Sequence, residues 1–196
     1  MMEQLKTTPS QTVGPFFAYS LTAEQYGYGY NSIVNDVLTG DGIEGRMICI
    51  KGQVFDGAGS AITDAMIELW HADNFGQYRE TCINGKNDGF MGFGRVGTGT
   101  NSNGEFSFTT IKPKFSDNRA PHINVILFMR GSLHGLYTRI YFSDDEKANT
   151  DDELLNNVPA ERRHTLIAQK NKSDGIATYL FDIHMQGENE TAFFEL

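Results

Sequence analysis

The chain has little cysteine: two thiols, Cys49 and Cys82, in 196 residues. Cys49 lies in a strand-like run and Cys82 in a polar stretch. This suits two free thiols in a reducing cytoplasm better than a secreted fold held by one disulfide. Positive charge is also scarce. Lys and Arg number 16 against 25 Asp and Glu, a net charge of −9, so electrostatics gives no reason to expect nucleic acid or anionic lipid as a partner. No apolar run approaches a membrane span, and MMEQLKTTPS lacks the apolar centre of a signal peptide. Common catalytic patterns are missing too. The five histidines, at 71, 122, 134, 164 and 184, form no H-x-H, H-x-x-x-H or H-E-x-x-H pattern. With no C-x-x-C pair either, a zinc site is not expected. There is no G-x-S-x-G elbow, no phosphate-binding glycine loop, no repeat and no low-complexity linker.

What is present is period-two alternation. MICIKGQVF (47–55) and AMIELWHA (65–72) flank a turn-rich DGAGSAITD. EFSFTTI follows the turn NSNGE, with Phe106 and Phe108 on one face. HINVILFM and LYTRIYF flank RGSLHG, and RRHTLIAQK and IATYLFDIHM flank NKSDG, a hairpin signal. Strands at this spacing predict one all-β domain, an antiparallel β-sandwich over 46–196. Residues 1–45, with YGYGYNS, read as an irregular N-terminal arm. Ser143 to Glu146 and Thr150 to Glu153 both read as capping boxes ahead of Pro159, which predicts one or two short helices over 143–158.

The stretch APHINVILF carries the first candidate site. On a strand, His122 and Asn124 point to the same side, where an H-x-H would aim two imidazoles at one ion. Read alone, His122 is a strand histidine with its hydrogen bonds satisfied. His71 and Asp73 either face one way at a strand end or cap a turn.

The order of motifs adds a resemblance. TPSQTVGPF, GQVFDGAGSAITDAMIELWHADNFGQY, GFGRVGTGTNSNGEFSFTTIKP and APHIN follow one another. From about Thr8 to the end the chain resembles the intradiol ring-cleavage dioxygenases, specifically the protocatechuate 3,4-dioxygenases. The resemblance implies a β-sandwich enzyme in which two tyrosines and two histidines hold mononuclear non-haem Fe(III). Carried across, Tyr78 in GQYR falls at the first tyrosine and His122 at the first histidine. Phe115 in TIKPKFSDN stands nearest the second tyrosine, and Asn124 replaces the second histidine. Ferric iron is a hard Lewis acid that favours phenolate. Phe115 offers no oxygen and Asn124 only a neutral amide. The four positions are therefore expected to be vestigial, with no metal and no catalytic residue on this chain alone.

In that group an iron-free alpha chain pairs with a homologous iron-bearing beta chain, and the ending FDIHMQGENETAFFEL with the early TPSQTVGPFF resemble the alpha chain. The resemblance then implies that Fe(III) sits on the beta subunit. Thr12, Gly14, Pro15 and Arg130 would line the substrate pocket at the interface, and Val13 and Phe16 depart from the usual pattern there. The reaction would be cleavage of 3,4-dihydroxybenzoate by O₂ to 3-carboxy-cis,cis-muconate, in aromatic degradation by the β-ketoadipate route. Taken without the resemblance, G-P is a turn dipeptide that Thr12 caps and Arg130 an exposed strand-end charge. Two other classes stay open: a homomeric catechol or hydroxyquinol dioxygenase, and a non-enzymatic sandwich that only binds or assembles.

Overall fold

Strand β1 (Met47–Phe55) shows why the chain folds as it does. Its residues alternate strictly between half-buried and buried, with Ile48, Ile50 and Val54 fully inside. A strand covered on one side by a core needs this pattern. The computed structural model describes residues 6–78, 89–114, 119–171 and 175–195. The further strands are β2 (Met66–Trp70), β3 (Phe93–Gly97), β4 (Glu105–Ile111), β5 (His122–Phe128), β6 (Leu136–Phe142), β7 (Ile167–Asn171), β8 (Ala177–Leu180) and β9 (Ile183–His184). They are ordered β3-β2-β5-β6-β7-β8-β1-β4, with β9 beside β1. The inner faces of β2 and β5 (Ile67, Leu69, Ile123, Val125, Leu127) meet those of β1 and β4 (Ile48, Ile50, Phe106, Phe108) in one core. Leu38, 1% exposed, belongs to the same core, so part of the N-terminal segment packs with the sandwich.

The sandwich is mixed rather than antiparallel. β1–β4, β2–β3, β2–β5, β5–β6 and β7–β8 run antiparallel. However, β6–β7, β1–β8 and β1–β9 are parallel. Between β6 and β7 the chain makes a long excursion through helices α2 (Glu146–Asp151) and α3 (Glu153–Asn157) and a 3₁₀ turn, Ala160–Leu166. A connection of that length lets the chain return in the same direction, which a tight turn cannot do. The link from β8 to β9 passes β1 closely at a glycine: a Cβ on Gly52 would lie 1.8 Å from the Phe181 carbonyl oxygen.

Two helices form where expected, but their caps differ. Asp145 precedes α2, and Asp152 caps α3 by accepting from the Leu155 amide at 2.8 Å. Ser143 instead accepts from the Lys170 amide, and Thr150 donates back to the Glu146 carbonyl. The first half of RRHTLIAQK is 3₁₀, because Pro159 starts a turn closed by Arg162 N–H on its carbonyl, 2.8 Å. Strand β3 was not foreseen from FGRVG. It is secured by Arg95, paired across the strands with Glu68 through two nitrogens at 2.6 and 2.7 Å. Among its described residues the N-terminal segment holds one helix, α1 (Phe17–Leu21). Asp144 ties the far side together, accepting from Lys112, Lys170 and the Tyr179 hydroxyl. Burial pushes its carboxyl up, but the two lysines outweigh this and hold it well below the usual range.

Candidate functional site

Two groups of candidate residues lie at opposite ends of β5, about 25 Å apart at the rise of an extended strand. At the first end, β2, β5 and β6 place Trp70, Asn124 and Arg139 side by side, and His122 opposite Tyr141. These residues are on the outer face, since Ile123, Val125 and Leu127 take the core side. Tyr78 arrives from the segment after β2. Asp73 bends that segment by accepting from the Phe75 and Gln77 amides at 2.8 and 3.0 Å. Of the two readings of His71 and Asp73, Asp73 is thus a turn cap. Its turn brings the Tyr78 ring to 4.7 Å from the Trp70 ring.

His71 has turned inward and is fully buried. Its two nitrogens meet the Ala72 carbonyl and the Thr110 hydroxyl, each at 2.8 Å. Burial pushes its pKa down to about 4, so it is neutral near pH 7. In His122, Nδ1–H donates to the Ala120 carbonyl at 2.8 Å, which leaves the Nε2 lone pair facing the Tyr78 hydroxyl at 3.5 Å. Burial first, and Arg139 in addition, push this imidazole's pKa down.

A phenol and an imidazole facing one another make half a metal site. Asn124 decides against the other half. Arg139 Nε donates to Asn124 Oδ1 at 2.9 Å, and a guanidinium has no acceptor, so the amide oxygen must face it. The amide nitrogen is left to donate to the Tyr78 oxygen at 3.1 Å. Where a ligand lone pair would be needed, the chain presents an N–H. Among the described residues no group of three or more His, Cys, Asp or Glu could hold a metal; Phe115 lies outside the described residues, as does Cys82. The side chains described at this site do not fit ferric iron.

Behind this group lies Asp152, 1% exposed, whose carboxylate accepts from the Ala120 and Leu155 amides and the Tyr141 hydroxyl at 2.9, 2.8 and 3.1 Å. Burial and this carboxylate hold the Tyr141 phenol well above its ordinary value. Sequence reasoning missed Arg139 and Asp152. A lone arginine inside the apolar run LYTRIYF was the available signal for the first.

At the other end of β5, Thr12 Oγ1 accepts from the Gly131 amide at 2.8 Å, where Gly131 takes a positive φ of 91°. Phe17 packs on Phe128 with ring centroids 5.5 Å apart, and Phe17 N–H closes a turn on the Gly14 carbonyl at 3.2 Å. Thr12 and Arg130 are thereby brought together, while Gly14 and Pro15 occupy the exposed turn entering α1. The Arg130 guanidinium donates through Nε to Asp64, a partner the sequence did not suggest. Phe16, which follows Pro15 in the turn entering α1, lines one cavity with Tyr28, Tyr30 and Ile33, and the four are 73, 51, 75 and 91% exposed.

The dioxygenase family model (Dioxygenase_C) matches residues 22–187. The chain belongs to the intradiol dioxygenase family. It is 45% identical to the protocatechuate 3,4-dioxygenase alpha chain of Burkholderia cepacia, over 100% of both chains. It is 29% identical to the beta chain from the same organism, over 75% of this chain and 67% of that one. Among solved structures, the dioxygenase domain of a dioxygenase–carbohydrate-binding fusion from Streptomyces sp. SirexAA-E superimposes with a TM-score of 0.61. The match has 24% identity over 95% of this chain and 100% of that one. It supports the fold alone. No helix among the described residues is long and apolar enough to cross a membrane.

Proposed function

We propose that this chain is the alpha, iron-free subunit of a protocatechuate 3,4-dioxygenase. In this reading it completes the pocket in which a homologous beta chain cleaves 3,4-dihydroxybenzoate with O₂ to 3-carboxy-cis,cis-muconate in the cytoplasm. The observation that carries the reading is the amide at 124. A chain similar throughout its length to an alpha chain turns a hydrogen-bond donor toward the one phenol and one imidazole it retains. Fe(III) is accordingly assigned to the beta partner, and a homomeric catechol or hydroxyquinol enzyme is disfavoured.

The share of catalysis left to this chain is positioning and electrostatics. Thr12 fixes the arm to Gly131, Gly14 and Pro15 shape the turn, and Arg130 supplies a planar cation. Its remaining donors can grip an aromatic carboxylate with two parallel hydrogen bonds. The exposed aromatic patch from Phe16 to Ile33 is apolar surface of the kind a partner covers. Co-expression with a candidate beta chain, followed by iron analysis and oxygen uptake on protocatechuate, tests the reading. The expected result is an iron-bearing, active complex and an isolated chain without iron, colour or activity. An iron-replete, coloured preparation of this chain alone would contradict it.

A further inference from the structure

We infer that Arg139 is a built-in cation standing in for the metal, and that its fixed charge, beyond the loss of ligands, keeps the Tyr78–His122 pair metal-free. The inference concerns this chain's own site and does not depend on the subunit assignment.

Hydrogen bonds run in one direction through the group. Arg139 Nε donates to Asn124 Oδ1 and Asn124 Nδ2 to the Tyr78 oxygen. The Tyr78 hydroxyl then faces His122 Nε2, and His122 Nδ1–H donates to the Ala120 carbonyl. The chain starts at a group that can only donate and cannot lose its proton, and it ends on a backbone acceptor. Only the first member carries a permanent charge. Among the described residues no carboxylate lies within salt-bridge distance of Arg139, and the nearby Asp152 is occupied by two amides and the Tyr141 hydroxyl. The cross-strand register fixes the position: Arg139 lies directly opposite Asn124, on the outer face that Trp70 and Tyr78 share.

To take a ferric ion, the Tyr78 phenol would release its proton to solvent and turn its oxygen from the Asn124 amide to the metal. The incoming charge would then meet a half-buried guanidinium that has no ion-pair partner among the described residues to screen it. A ligand restored at 124 leaves that repulsion in place. Removing the guanidinium while keeping a side chain of similar length lifts it without opening a large void.

The test compares the full chain with its Asn124→His, Arg139→Met and Asn124→His/Arg139→Met forms. Each is incubated with ferric nitrilotriacetate and desalted, then assayed for iron per chain and for the visible phenolate-to-iron band. The double variant should retain at least ten times the iron of Asn124→His and show the band, and Tyr78→Phe in that background should abolish it. Equal loading of Asn124→His and the double variant would overturn the inference, because the charge would then not be the barrier. A folded double variant that holds no more iron than the parent would overturn it equally. Arg139→Leu gives the same comparison if the methionine chain does not stay folded.

Discussion

The two ends of β5 differ in how their polar groups are used. At the His122 end, imidazole, phenol, amide and guanidinium face one another, with the buried Asp152 carboxylate behind them. At the Arg130 end, a more exposed guanidinium meets Asp64, an arm is pinned by one hydroxyl, and aromatic rings face solvent. The first end is tied into the sheet by a run of hydrogen bonds, although Trp70 and Tyr78 remain 47 and 44% exposed. The second leaves donors and apolar surface to be completed by something else. In the proposed reading the first end serves as structure, and the chain's share of function lies at the second.

If this contrast holds, changes at the first end cost stability, and those at the second cost activity. The largest stability effect is expected for Asp152→Ala, which strands two buried amides and a hydroxyl. A loss of about 3–5 kcal/mol in urea unfolding is expected, and a loss under about 1 kcal/mol would mean that the carboxylate is not central. Acid should weaken the same end. The folded-state pKa of His71, about 4, lies below its unfolded value near 6.5, so between these values the unfolded chain binds more protons. Stability is therefore full above the unfolded pKa and falls as pH drops toward the folded one, by roughly 3 kcal/mol. His122, also lowered, adds in the same direction. Urea midpoints at neutral and mildly acid pH check this, and in His71→Gln the pH slope should shrink. A flat parent profile would count against a neutral buried imidazole. Asn124→Ala should cost the least, about 1–2 kcal/mol, from the unpaired Arg139 and Tyr78. The reconstituted complex should keep its activity; a large loss of turnover with stability intact would break the contrast.

Much of this organisation was legible in the sequence, for specific reasons. β1, β5 and most of β4 alternate cleanly because one face of each meets the core. β3 was hidden because FGRVG has two glycines and little apolar contrast, and its stability comes from Arg95 reaching Glu68 on a strand far away in sequence. The parallel pairings were illegible because direction depends on where the chain returns after α3, not on local pattern. The capping residues were misplaced because Asp145 and Asp152 lie beside the Ser and Thr that fit the motif. His122 and Asn124 could be read as same-side neighbours from their spacing. Their link to Arg139 requires the β5–β6 register, which no local stretch carries. Tyr78 became a candidate only through family resemblance, since it is positioned by the Asp73 turn.

The most direct test of the proposed division is Arg130→Ala in the reconstituted complex, assayed on protocatechuate and on catechol, which lacks the carboxylate. On protocatechuate, kcat/KM should fall by roughly 2–3 kcal/mol, about a hundredfold, the scale of losing a charged contact. Catechol turnover should change far less, and iron content should not change at all. Equal losses on both substrates would assign Arg130 to holding the interface; no loss on either would leave it an exposed charge and contradict the account.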